Sequence, residues 1–433
     1  MAAVMDVKTW KSSSSLTLRS RSDDLKKVDR ALEDYWQVGG WGHHQHLRTV
    51  KTNIEAWIDV KGRKPDGSIN SERAGAVEEL LGQVERALLR RDIYVALWSF
   101  SNQHGTTLPI SRKLEYVGQI LQGLKSKIMN ADIEPSQDLK GIFVAPEYFH
   151  SARHAGEFKS PGGFVKRTVP AFDKMQFVHQ LEGISNAAKG ILIVPGSVAW
   201  SELLDRDKIE ESITELEDPQ KYKGIAPGVM DHHAYKTDVL PSWNQKKNFV
   251  RQAGAKPKYV MHNTAFAFLD GRPRYEYHKH GDFHEAVGSP NLVFIPGHES
   301  GVKTIGGVTM GFEICLDHNI GYLASRTGKH PVGLSGEKAK PVVERELHIV
   351  VSDCVDNEPS HMALWDGGYF LHASTNPDCT NVFHRTGAQV REVNPVEEVA
   401  AGPANEPLRF YRISIERKEA KSPARKYVPD AYR

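Results

Sequence analysis

Three residues far apart in the chain have side chains that can share one reaction: Glu147, Lys279 and Cys315, a carboxylate, an ammonium and a thiol. Each stands at the end of an apolar run. Glu147 closes Gly141-Ile142-Phe143-Val144-Ala145-Pro146, and Lys279 follows the segment Arg274–His278. Cys315 sits in Gly311-Phe312-Glu313-Ile314-Cys315-Leu316-Asp317, behind the apolar run Thr304–Met310. A carboxylate beside a thiol acts as general base, leaving a thiolate to attack an amide, carbamoyl or nitrile carbon. The lysine ammonium and the Leu316 backbone N–H can hold the oxyanion that forms, and the ammonium also favours the thiolate. Once protonated, the carboxyl group gives its proton to the leaving amine and then activates water against the thioester. Thiol, carboxylate and ammonium suffice, so no metal or cofactor is called for. Taken singly, each residue has a plainer explanation: a surface carboxylate, a solvated hairpin lysine, a cysteine packed in a core.

The elements that must position them alternate between strand and helix. Ile93–Trp98 reads as a strand, and a helix follows from a Ser111 cap with Leu114, Val117, Leu121, Leu124 and Ile128 on one face. Gly141–Pro146 is a second strand. A helix over Phe172–Ala188, apolar at Met175, Val178 and Leu181, leads to the strand Gly190–Val194. His262–Leu269 and Arg274–His278 form a hairpin about the turn Asp270-Gly271. Thr304–Met310 is one strand, and a short helical segment runs from Cys315 to near Ser325. Leu347–Ser352 is a buried strand, Trp365–Ser374 reads as helical, and Cys379–His384 and Arg409–Ile415 close the domain. Such alternation predicts an α/β layered fold with functional groups at the carboxyl ends of strands.

Together, Val144-Ala145-Pro146-Glu147, Tyr277-His278-Lys279 and the Gly311–Asp317 elbow resemble, in order and surroundings, the motifs of the nitrilase superfamily of carbon–nitrogen hydrolases. Val194-Pro195-Gly196-Ser197 and Asn263-Thr264-Ala265-Phe266 also match strand sequences of that family. The similarity covers roughly residues 92–416. It implies a four-layer αββα sandwich, a Glu147–Lys279–Cys315 triad, and a homodimer or higher homo-oligomer joined through sandwich faces. It further implies that Glu285 orients the lysine. Tyr148, Phe149 and His150 after the base, and Asp317, His318 and Asn319 after the nucleophile, are expected to line the pocket. The chain departs from the family pattern at His318, where an arginine is common soon after the aspartate, and in His280-Gly281-Asp282-Phe283-His284 after the lysine. Its insertions at 151–170 and 202–257 are also large for the family.

Outside the resemblance lie a Ser-rich basic leader (1–25), a helical N-terminal extension (26–91) and a basic extended tail (417–433). The 433 residues carry a formal charge of +2, which supplies no field for nucleic acid. No apolar stretch approaches the ~20 residues of a membrane span. Three widely spaced cysteines, Cys315, Cys354 and Cys379, fit a reducing compartment such as the cytoplasm rather than a disulfide scaffold. The leader also leaves room for non-classical secretion as an effector. Two metal readings compete with the thiol: His43, His44 and His46 in a Gly-rich connection, and His278, His280 and His284 with Glu285, although a strand and its loop aim side chains apart. A non-catalytic binding protein on the same scaffold is the third class. Lys159, Lys166 and Arg167 in the first insertion suggest an anionic substrate or a solvated basic loop. The expected substrate is a small amide or carbamoyl compound more than a nitrile.

Overall fold

Short runs of β-branched and aromatic residues build the middle of two sheets. In the computed structural model the described residues are 90–101, 108–131, 133, 137–150, 159–160, 163–164, 168–205, 259–280, 292–295, 297, 299–319, 321–325 and 345–416, with 51, 52 and 54. The leader, the tail, nearly all of the 26–91 extension, residues 206–257 of the second insertion, and His43, His44, His46, Lys166, Arg167, His284 and Glu285 lie outside them.

The chain enters with β1 (Arg90–Trp98), α1 (Ile110–Asn130) and β2 (Gly141–Val144). β3 (Lys159–Ser160) and β4 (Gly163–Phe164) pair with each other, and β5 (Val169–Pro170) runs into α2 (Ala171–Ala187). Then come β6 (Ile191–Val194), β7 (Ser197–Leu203), β8 (Tyr259–Leu269), β9 (Arg272–His278) and β10 (Leu292–Phe294). β11 (Val302–Ile305) and β12 (Val308–Ile314) precede two single-turn helices, α3 (Leu316–Asn319) and α4 (Tyr322–Ser325). β13 (Leu347–Ser352), β14 (Tyr369–Ser374), β15 (Asn381–Thr386), β16 (Gln389–Val393), β17 (Glu397–Ala401) and β18 (Glu406–Glu416) complete the order.

The first sheet runs β17-β18-β1-β2-β6-β8-β7-β5, with β9 and β10 also paired to β8; the second runs β11-β12-β13-β14-β15-β16. β1, β2 and β6 are parallel, as are β12, β13 and β14. These central strands are largely buried on both faces, the pattern of a parallel sheet covered on both sides. The fold is thus of the α/β class.

By its contacts the chain divides into a larger unit, Ile93–Ile128 with Asp138–Ile413, and a smaller one, Met1–Asp92 with Met129–Gln137 and Ser414–Arg433. In the smaller unit the Gln137 amide donates to the Asp92 carbonyl at 2.9 Å. The ends of β2, β9, β12 and β13 belong to the larger unit. No helix among the described residues is long and apolar enough to cross a membrane.

Most elements form where the pattern predicts, and the differences have local causes. Leu114, Val117, Leu121, Leu124 and Ile128 are all buried on α1. That helix begins two residues early, because the backbone N–H groups of Arg112 and Lys113 both donate to Pro109, so Ser111 lies in the first turn and is no cap. On α2 the buried residues are Phe177, Leu181 and Ser185, while Met175 is 64 % exposed. The expected strand Thr304–Met310 is split by Gly306-Gly307, both at positive φ, into the hairpin β11–β12. The helix expected at Trp365–Ser374 is instead the fully buried β14, parallel to β13 and antiparallel to β15. A six-residue apolar run has no period of its own, and strand pairing on both sides decides it.

Candidate active site

Glu147, Lys279 and Cys315 come together. The Lys279 ammonium donates to Glu147 Oε1 at 2.8 Å, with 1 % and 0 % of the two side chains exposed. The same carboxylate acts on the buried Cys315 thiol and raises its pKa. Three strand ends deliver these groups: Glu147 beyond β2, Lys279 directly after β9, and Cys315 directly after β12.

Backbone pairing sets their positions. Lys279 N–H donates to the Asn263 carbonyl at 2.8 Å, and the Lys279 carbonyl accepts from Gly297 N–H at 3.0 Å. Glu147 N–H donates to Ser352 at 3.3 Å and Cys315 N–H to Val351 at 2.9 Å, so the end of β13 supports both. Cys315 adopts φ 48°, a left-handed conformation that a non-glycine residue holds only when its surroundings enforce it. Gly196 allows the chain to pass beside the base: at φ +79° its Cβ would stand 2.0 Å from the Pro146 carbonyl oxygen.

Two further groups hold the carboxylate. Asn263 Nδ2 donates to Glu147 Oε1 at 2.8 Å, and the Asp353 backbone N–H, from the second sheet, donates to Oε2 at 3.0 Å. Asn263 opens the strand sequence Asn263-Thr264-Ala265-Phe266, which gives its place but not its role, and Asp353 stands in no motif. Burial first, and the Glu147 charge next, push the Cys315 thiol well above its ordinary value, with Lys279 acting in the opposite sense. The resting sulfur is therefore protonated at neutral pH.

The expected pocket residues divide. Tyr148, at φ 56°, lies beside the site with its ring centroid 5.9 Å from the Lys279 ammonium. Asn319 is half-buried, its backbone N–H 3.4 Å from the Cys315 carbonyl. The other four are fully buried, as Glu147 and Lys279 themselves are. Phe149 packs edge-on against Trp98 and Phe100, and His150 lies 3.8 Å from the Phe177 ring, both in the aromatic core. Asp317 accepts from the Tyr277 hydroxyl at 2.8 Å and from His280 N–H at 3.1 Å, tying the cysteine elbow to residues on both sides of Lys279. Burial, followed by the Asp317 charge, pushes the Tyr277 phenol well above its ordinary value and keeps it a donor. His318 turns inward to Glu313. Leu316 is buried at the start of α3.

Of the histidines read as metal ligands, the two described point apart. His278 Nδ1 bonds Glu299 at 2.7 Å, whereas His280 stacks on Tyr322 at 4.2 Å. Cys315 and Cys379 are buried and Cys354 is exposed, and all three are free.

No family profile and no curated protein matches this sequence. Among solved structures the chain is similar to Nit3 of Saccharomyces cerevisiae, a member of branch 10 of the nitrilase superfamily, at 15% identity and TM-score 0.36, over 75% of this chain and 90% of that one. It is similar to an amidase of Nesterenkonia AN1 from the nitrilase superfamily at 12% identity and TM-score 0.39, again over 75% of this chain and 90% of that one. A glutamine-dependent NAD+ synthetase from Acinetobacter baumannii follows at 12% identity and TM-score 0.37, over 76% of this chain and 48% of that one. The first two are members of the family that the motifs resemble. Overlays this loose carry no functional argument, which rests on the side-chain geometry.

Proposed function

We propose that the chain is a thiol-dependent hydrolase of a non-peptide carbon–nitrogen bond, built as a nitrilase-type αββα sandwich around the Glu147–Lys279–Cys315 triad. The observation that carries this reading is one buried carboxylate held by an ammonium at 2.8 Å, with its backbone and that of the buried thiol bonded to successive residues of β13, each group coming from a different strand end.

Because the thiol rests protonated, attack requires a base in contact with it, and Glu147 is that base. As sulfur bonds to the carbonyl carbon, the thiol proton passes to Glu147 and the carbonyl π electrons move onto oxygen. Lys279 and the Leu316 N–H stabilise this oxyanion. When the intermediate collapses, the C–N bond breaks and the amine leaves with the proton from Glu147. A water molecule then gives a proton to Glu147 and its oxygen to the thioester carbon. Release of the acid returns that proton to sulfur. Lys279 keeps its protons throughout, so every proton that moves passes through one carboxyl group. Amides and carbamoyl compounds fit this sequence more directly than nitriles, which need a second hydration.

The test is ammonia release from a panel of amides, carbamoyl compounds and nitriles, with Cys315→Ala beside the wild type. We expect the variant to fold and to lose turnover on whichever compound the wild type cleaves. Full activity in Cys315→Ala refutes the proposal.

A further inference from the structure

Behind the cysteine elbow, on the face of β12 away from Phe312, lies a second buried ionic cluster that the proposed chemistry does not use. Glu313, two residues before the nucleophile, accepts from Leu323 N–H at 2.6 Å through Oε1. Its Oε2 pairs with His318 Nδ1 at 3.0 Å and with His348 Nε2 at 2.8 Å. Glu313 is 1 % exposed and both histidines are fully buried.

The direction of these bonds can be read. Ala363 N–H donates to His348 Nδ1 at 3.1 Å, so that nitrogen carries the lone pair and Nε2 carries the proton. His348 is therefore a neutral donor to Glu313. Burial alone would raise the Glu313 carboxyl, but coupling to His348 and the bonds from both histidines outweigh it and hold the group well below the usual carboxylate range. Glu313 is an anion with three N–H donors, one each from α3, α4 and β13.

Glu313, His318 and His348 place ligand atoms within 4.8 Å of one another, a spacing that also suits a metal ion. The Ala363 bond argues against that use, because a metal on His348 Nε2 requires a proton on Nδ1, where the Ala363 N–H already points.

We propose that Glu313 is a positioning residue for the nucleophile: by fastening α3 and α4 to the strand before Cys315, its carboxylate fixes the left-handed turn that sets the sulfur against Glu147. This inference rests on the reading of Cys315 and Glu147 as nucleophile and base. Phe312 and Ile314 face the other way along β12, and the Glu313 side chain links the incoming strand to both outgoing helices. An elbow freed by even 1 Å separates thiol from carboxylate, and near-attack geometry is lost.

The experiment measures the pH profile of Cys315 carbamidomethylation by iodoacetamide in the purified full chain, with exposed Cys354 as internal reference. In the wild type the Cys315 midpoint should lie above the ordinary thiol range. His318→Ala removes one donor and should lower the Cys315 midpoint by about one pH unit, as sulfur leaves the carboxylate. His318→Asn, whose amide occupies the place of Nδ1–H, should restore it. Glu313→Gln presents its own N–H groups to histidine N–H donors and should lower the midpoint further; if it fails to fold, the His318 pair decides alone. A merely stabilising role would change the thermal midpoint and leave the titration where it was. Glu147→Gln is the control. If it moves the Cys315 midpoint while His318→Ala does not, or if His318→Asn behaves like His318→Ala, the positioning role is wrong. If Glu147→Gln itself moves nothing, the underlying reading of the site fails. One zinc per chain, with a thermal midpoint that falls on chelation, would replace the hydrogen-bonded cluster with a metal centre and overturn the inference.

Discussion

Glu147→Gln pushes reactivity and catalysis in opposite directions, which makes it the sharpest test of the site. The wild-type carboxylate accepts from Lys279 and Asn263 at Oε1, both at 2.8 Å, and from the Asp353 N–H at Oε2, at 3.0 Å. Glutamine offers a single oxygen. If that oxygen serves Lys279 and Asn263, the amide NH2 faces the Asp353 N–H, donor against donor. Removing one charge from a buried pair costs about 3–5 kcal/mol of stability. Losing a positioned general base costs roughly 10²–10⁴ in rate, or about 3–5 kcal/mol of barrier. The thiol responds the other way. After burial, the Glu147 charge is the largest influence raising it, and the Lys279 influence lowering it survives the substitution. The variant should therefore have a more acidic Cys315 and a slower enzyme. Stopped-time iodoacetamide labelling read by mass spectrometry gives the first quantity, and ammonia release gives the second. Turnover within about threefold of wild type, or a Cys315 titration that stays put or rises, refutes the assignment of Glu147 as base.

Two other substitutions test how the loop bearing the base is held. Lys113 Nζ, fully buried on α1, donates to the Phe149 carbonyl at 2.7 Å, and burial lowers its pKa from 10.5 to about 7. The unfolded chain then holds this proton more tightly than the folded one, so the native state is penalised in full below pH 7 and recovers as pH rises toward 10.5. The penalty is on the order of 5 kcal/mol at most, against about 1–3 kcal/mol for an abandoned carbonyl. Lys113→Met should thus be more stable than wild type at pH 6 by urea denaturation, with the gap closing by pH 10; a gap that widens with pH would contradict this. Gly196→Ala places a Cβ at 2.0 Å from the Pro146 oxygen in a left-handed backbone. It should cost at least about 2–3 kcal/mol in thermal or chemical denaturation and impair turnover with it, and a neutral result would show that the loop before Glu147 is not confined as described.

Much of the architecture is legible because local pattern and burial agree. Gly141–Val144, Ile191–Val194 and Leu347–Ser352 are short apolar runs bounded by polar or turn residues, and each becomes a buried central strand. The face of α1 is legible for the same reason, since seven buried positions fall at helical spacing. Tyr369–Ser374 is not, because helix and strand share its composition and only two neighbouring strands distinguish them. The α2 face was misjudged by the same limit: Met175 is apolar yet outward, and Phe177 is the residue turned in.

The chain by itself determined that a carboxylate, an ammonium and a thiol each follow a strand, and that the thiol lies on a strand-to-helix turn. That much is local, because residue order and side-chain period are written along the backbone. Only the tertiary structure decided the partners. It placed Asp353 and Asn263 on Glu147, tied Asp317 to Tyr277 and His280, and drew His318 inward to Glu313. These bonds join residues from 5 to 206 positions apart, and all but the His318–Glu313 bond join segments at least 37 positions apart. Which donor meets which acceptor depends on how the two sheets come together, and no periodicity within a single segment encodes that meeting.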